Sequence, residues 1–170
     1  MPNMLTQTYE GLEGYDTMQV CMNGHQITSY AATQPEVRQT YCSGCGAKTI
    51  DRCQNCSTPI RGYRHMPGVF LVASTPVPKH CINCGQPYPW QEAAIENLTD
   101  LLKESGLSDD QIAEAEKALP DVIQETPKTE SASLKLGKVL RAMGKPAYDI
   151  TIKVVSDLAS ETAKKTLGLG

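Results

Sequence analysis

The chain has 170 residues, seven of them cysteine, and a formal net charge of −3. That length allows one ordinary domain or two small ones, and a chain with one Phe and one Trp has no large aromatic core. The near-neutral balance also lacks the strongly basic footprint of a typical nucleic-acid-binding domain.

The charge is unevenly spread. Residues 1–90 carry six Lys/Arg against five Asp/Glu, residues 91–132 three against eleven, and residues 133–170 seven against three. The first of these segments is crowded with Gly, Pro, Cys and Tyr and poor in Leu. A segment of that kind buries little apolar surface, so disulfides or metal must stabilise it. An odd cysteine count leaves one thiol over if the others pair. The Met1 start shows no secretory leader pattern, and no run approaches the ~20 apolar residues of a membrane span. The expectation is a cytoplasmic chain without a transmembrane segment, its thiolates bound to metal.

Residues 1–16 have no period and read as an N-terminal tail, with Tyr9 or Tyr15 available to tie it down. From Met18 to Tyr30 two short β-rich segments flank Asn23-Gly24, a turn dipeptide that swings Cys21 and His25 toward one point. Three Cys-x-x-Cys hooks follow, at Cys42/Cys45, Cys53/Cys56 and Cys81/Cys84. The stretches CSGCGAKTI, CQNCSTPI and CINCGQPY are three copies of one knuckle, and CMNGHQI is a fourth with altered spacing. VFLVA, residues 69–73, reads as a buried strand ended by Pro76 and Pro78.

After Trp90 the period becomes helical. Ile95, Leu98, Leu101 and Leu102 define a first helix, and Ser108 to Gln111 is a capping box opening a second that Pro120 closes. Residues 120–132 read as a linker. A third helix carries Leu134, Leu136, Val139, Leu140 and Met143 up to Gly144-Lys145-Pro146, and a fourth runs from about Ala147 to Leu167. The predicted fold is a small α+β protein: a metal-stabilised double zinc ribbon of short hairpins over 17–90, a helical hairpin over 91–119, the linker, and C-terminal helices over 133–170.

Four two-ligand hooks close two tetrahedral zinc sites. Cys21, His25, Cys42 and Cys45 on one ion, with Cys53, Cys56, Cys81 and Cys84 on the other, is the preferred pairing; cross-braced and nested pairings stay open. His25 makes the eighth ligand, His80 is its substitute, and His65 is expected in solvent. Four closed ligands leave no place for water or substrate, which makes both zincs structural, and the all-cysteine site would also accept iron. No phosphate loop, His-Glu-x-x-His or activated nucleophile occurs, so the chain is expected not to be an enzyme.

The strings CMNGHQI, QPE, YCSGCGAKTI, CQNCSTPIRG, HMPGV and CINCGQPYPW together resemble an uncharacterised bacterial double-zinc-ribbon family of unknown function. The resemblance spans residues 18–92 and, less specifically, the helical tail. It implies the same eight metal ligands and no activity. At the third hook Ser57 stands where such families often have Gly.

Three functions follow as expectations. The first is a cytoplasmic zinc-binding adaptor or scaffold that docks a protein partner, with Tyr88 and Trp90 as exposed anchors unless Trp90 plugs the space between the domains. The second is a nucleic-acid-binding protein using Arg52, Arg61, Arg64 and Lys79 with Tyr63 or Phe70 stacking. The third is a cross-braced, ligase-like scaffold. The run Lys135, Lys138, Arg141 and Lys145 is a solvated face or a partner for the acidic helices, with phosphate or anionic-membrane contact as the alternative.

Overall fold

The computed structural model describes residues 14–69 and 74–170. The chain forms two compact units, Met1–Glu92 and Ala93–Gly170, giving a small α+β fold with short antiparallel strands first and five helices after.

Among the described residues the first unit has two small sheets. β1 (Gly14–Thr17) pairs antiparallel with β5 (Arg61–His65), with Tyr15 opposite Arg64 and Thr17 opposite Arg61. β2 (Gln19–Cys21) lies between β3 (Gln26–Thr28) and β4 (Thr49–Ile50). Register is fixed where Cys21 opposes Thr49, so β4, seven residues after Cys42, is locked beside the strand that carries Cys21. A 3-10 turn at Pro35–Val37 sits on the connecting loop. Among the described residues the apolar interior is small: Met18, Val20, Ile60 and Tyr88, packed with Cys53 and Cys81 and flanked by half-buried Ile50, Val77 and Trp90. Around it the chain passes very close to itself. A Cβ on Gly62 would lie 2.3 Å from the Ser29 carbonyl oxygen and 2.9 Å from the Met18 nitrogen, so glycine is required for that approach.

Residues 14–16, expected in the tail, belong to β1 because the backbone of β5 offers them partners. Of the strand expected at 69–73, Val69 is exposed and bridges Met66 across a turn, and 70–73 lie outside the described residues.

The second unit is helical: α1 (Pro89–Lys103), α2 (Asp109–Ile123), α3 (Thr129–Arg141), α4 (Lys145–Leu158) and α5 (Glu161–Leu167). Leu98, Leu102, Leu119, Val122, Leu136, Leu140, Val155 and Leu158 form its core. The capping box is present: Ser108 accepts from the Gln111 amide and the Gln111 side chain accepts from the Ser108 amide. Pro120 does not end α2. It removes one backbone donor from an exposed position, while burial of Val122 and Ile123 and a bond from the Gln124 amide to the Pro120 carbonyl carry the helix three residues further.

The linker therefore shortens to residues 124–128. It is tied by the Thr129 hydroxyl, which donates to the Gln124 carbonyl and accepts from the Thr126 amide. The expected fourth helix is two helices. Ala159 leaves helical geometry, Ser160 caps α5 by accepting from the Ala163 amide, and the Ser160 amide donates to the Val122 carbonyl at the end of α2. Leu134, expected in the core, is exposed, and Ala132 and Ser133 occupy that face instead.

Candidate metal centres

Three of the hooks are the same turn built three times. The Cys42 amide donates to the Ala47 carbonyl and the Gly46 amide to the Cys42 carbonyl; Cys53 with Thr58 and Ser57, and Cys81 with Gln86 and Gly85, repeat both bonds at 2.8–2.9 Å. In each, the residue after the second cysteine is left-handed, at φ 73° for Gly46, 60° for Ser57 and 72° for Gly85. That curl turns the amide of the next residue toward the thiolate of the second cysteine, Ala47 toward Cys45 and Thr58 toward Cys56.

The fourth hook is one residue tighter. The Cys21 amide donates to the His25 carbonyl, the Gly24 amide to the Cys21 carbonyl, and Gly24 is left-handed at φ 87°. Its second ligand therefore falls after the left-handed residue and not before it. A histidine's longer reach suits that displaced position, and the His25 amide donates to Cys21 Sγ at 3.3 Å.

The hooks pair in sequence order. Cys21, His25, Cys42 and Cys45 converge in one group, and Cys53, Cys56, Cys81 and Cys84 in a second, with all ligand atoms of each group within 4.8 Å of one another. All seven cysteines are free thiols. Sulfur separations are 3.7 Å for Cys21–Cys45, 3.7 Å for Cys53–Cys84 and 3.6 Å for Cys56–Cys81. An ion holding sulfurs at ~2.3 Å in a tetrahedron sets them about 3.8 Å apart, so both groups have the spacing a metal needs. In the first group the histidine turns Nδ1 inward, 3.3 Å from Cys45 Sγ and 3.7 Å from Cys42 Sγ. The cross-braced and nested pairings are overturned, because β2–β4 pairing brings the first two hooks together.

In the mixed group Cys45 is poised to ionise, and in the all-cysteine group Cys56 and Cys81 are. The Ala47 amide, with His25 and Asn23, pulls Cys45 down to about 6 against the opposing effect of desolvation. Thr58, through hydroxyl and amide, and then Asn83 pull Cys56 to about 6. At Cys53 the Cys56 amide opposes the shift, yet burial and the sulfurs of Cys81 and Cys84 push the thiol up to about 11. A cation entering such a group meets a ready thiolate and displaces the remaining protons.

The two groups differ in cover. His25 and Cys45 are exposed while Cys21 and Cys42 are buried; in the all-cysteine group Cys53 and Cys81 are buried and Cys56 and Cys84 half-buried.

His80 joins neither group; its backbone bridges Pro87 at the base of the last hook. His65 is not in solvent. Its Nε2 lies 3.0 Å from Asp16 Oδ2, and both residues are buried. Asp16 also accepts from the Thr17 and Ala32 amides and the Thr33 hydroxyl. Burial works to raise the Asp16 carboxyl, but these partners outweigh it and hold the group below its ordinary value.

Tyr88 and Trp90 are not free anchors. Tyr88 is buried and stacks on Trp90 at 4.7 Å, and the indole Nε1 donates to the Pro78 carbonyl. A Cβ on Gly24 would come within 3.0 Å of the Trp90 Cβ, so Trp90 also backs the first hook.

Fold and site together define a small α+β protein whose first unit is organised by two ligand groups, a mixed one of three cysteines and a histidine and an all-cysteine one of four. Each is able to hold a metal ion and is compatible with a zinc ribbon. The chain belongs to a bacterial family described as "uncharacterized protein conserved in bacteria" (DUF2321), whose model matches residues 14–167. Neither a curated protein nor a solved structure matches it. Among the described residues no helix is long and apolar enough to cross a membrane.

Proposed function

We propose that the chain is a non-catalytic, cytoplasmic zinc-binding adaptor, in which two structural zinc ions fix the turns of the first unit so that they present apolar side chains to a protein partner. The observation that carries this is closure. Each group supplies four N or S ligands at tetrahedral spacing, which fills the coordination sphere and leaves no position for a reacting water.

Zinc is favoured by the donor set of soft thiolates with one imidazole. It also supplies what the interior lacks. Among the described residues the buried apolar cluster is small and stabilises such a unit weakly, whereas structural zinc contributes roughly 10–16 kcal/mol in small modules.

With Tyr88 and Trp90 turned inward, the contact side chains are others. Tyr41, 63% exposed, immediately precedes Cys42, and Ile82, 59% exposed, immediately follows Cys81. Both sit on turns whose backbone is fixed by the hook hydrogen bonds, so little entropy is lost when they bind.

The nucleic-acid alternative is less well supported. Arg52 is engaged by Asp51 at 3.0 Å, and Tyr63 packs against Tyr30 and His65. Arg61 and Arg64 lie over the exposed Tyr15 ring, at 4.5 and 5.8 Å. Zinc held by three and by four thiolates also leaves formal charges of about −1 and −2, which turns the first unit negative. The ligase-like alternative needed the cross-brace that the sequential pairing lacks.

The test is capture of a partner from the native host by zinc-loaded full-length chain and by its Tyr41→Ala and Ile82→Ala variants. A protein retained by the wild type and lost by the variants supports the adaptor. No reproducible capture contradicts it.

A further inference from the structure

We propose that Cys45 is an oxidation site: its metal-bound thiolate is oxidised by hydrogen peroxide, Cys21 closes on it as a disulfide, and the mixed group releases its zinc while the all-cysteine group keeps its own. The inference rests on the zinc reading above and deepens it by giving the two ions different fates.

The asymmetry of cover is the first reason. In the mixed group one ligand from each hook is open to solvent, His25 from the first and Cys45 from the second. A small oxidant therefore reaches sulfur without unfolding. In the all-cysteine group no ligand is exposed, and Tyr88, Ile60 and Met18 pack around Cys53 and Cys81. Oxidation of a metal-bound cysteine follows access, and among the seven cysteines Cys45 is the exposed one.

Resolution is the second reason. Cys21 is fully buried, yet its sulfur lies 3.7 Å from that of Cys45, close enough to attack once the metal bond weakens. Because the two cysteines sit on different hooks, a bond between them removes one ligand from each, and neither hook keeps a pair. What remains is Cys42 and the solvent-exposed His25.

The steps balance. The Cys45 thiolate attacks one peroxide oxygen, an S–O bond forms and the O–O bond breaks; the departing hydroxide takes a proton and leaves as water. Cys45, now a sulfenic acid, has lost two electrons and the peroxide has gained them. The Cys21 thiolate attacks that sulfur, an S–S bond forms, the S–O bond breaks, and the second hydroxide takes a proton to become water. In sum, two thiolates, one peroxide and two protons give one disulfide and two waters, with Zn2+ leaving unchanged in charge.

The experiment uses full-length protein carrying two equivalents of zinc. Hydrogen peroxide is added, free zinc is followed with a chromogenic indicator, and disulfides are mapped by mass spectrometry after the remaining thiols are blocked. Loss of one of the two equivalents in a distinct fast phase is expected, with a Cys21–Cys45 linkage and unmodified Cys53, Cys56, Cys81 and Cys84. A Cys45→His variant that still loads two equivalents should keep both through the same exposure. If that variant loads only one, the wild-type zinc count and linkage decide alone. Two equivalents leaving together, first oxidation in the all-cysteine group, or zinc loss with Cys45 unmodified would overturn the proposal while leaving the zinc reading intact. Fewer than two equivalents before any peroxide is added overturns both.

Discussion

Ser57 stands at φ 60° in the turn position that Gly46 holds at φ 73°, with the same two backbone bonds around it. A left-handed backbone costs an L-residue with a Cβ roughly 1–2 kcal/mol, and the extra freedom glycine brings to the unfolded chain offsets part of the gain from removing it. The variant Ser57→Gly is therefore expected to stabilise the zinc-loaded protein by about 0.5–1 kcal/mol. Denaturant midpoints check this, and a lower midpoint for the variant would contradict the shared turn.

Gly62 faces backbone and not a side chain that can swing away. The Ser29 carbonyl at 2.3 Å and the Met18 nitrogen and Thr17 carbonyl carbon at 2.9 Å leave no room for a methyl group. Relief would require β5 to move away from the segments at Thr17–Met18 and Ser29. We expect Gly62→Ala to cost about 3 kcal/mol or more. Wild-type stability for this variant, measured with zinc saturating, would contradict the packing of β5 described above.

The buried Asp16–His65 pair predicts a pH signature. Because the folded Asp16 carboxyl lies below its unfolded value of ~3.9, its contribution is complete above that value. It is lost as pH falls through the folded value. Asp16→Asn should lower stability by about 2–3 kcal/mol at neutral pH, with the gap to wild type closing only in acid below about pH 4. A gap that stays constant down to pH 3 would show that the carboxylate charge is not what the partners recognise.

How much of this is legible in the sequence varies with distance along the chain. Cys-x-x-Cys followed by Gly or Ser encodes a local turn, so three hooks read directly. Pairing of the hooks does not, because it depends on Cys21 meeting Thr49 across a sheet. His65 departs from expectation for the same reason: its partner Asp16 lies 49 residues away. The second helix outruns Pro120, since the cost of a missing donor is local while the compensating burial of Val122 and Ile123 is tertiary. The break at Ala159 is hidden because Ser160 has Ala163 at the position where Ser108 has Gln111, so only half a capping box marks the start of α5.

Metal removal should separate the two units. The five helices lie between Pro89 and Leu167, and their core contains no ligand cysteine. Chelation is therefore expected to unfold residues 14–88 while far-UV helicity is largely retained. Loss of both signals in one transition would contradict independent cores.

The most direct test is elemental analysis of full-length protein purified under reducing conditions without added metal. Two zinc equivalents per chain, with all seven thiols titratable after denaturation in chelator, are predicted. Fewer than two equivalents of bound metal, or cysteines recovered as disulfides, would contradict the account.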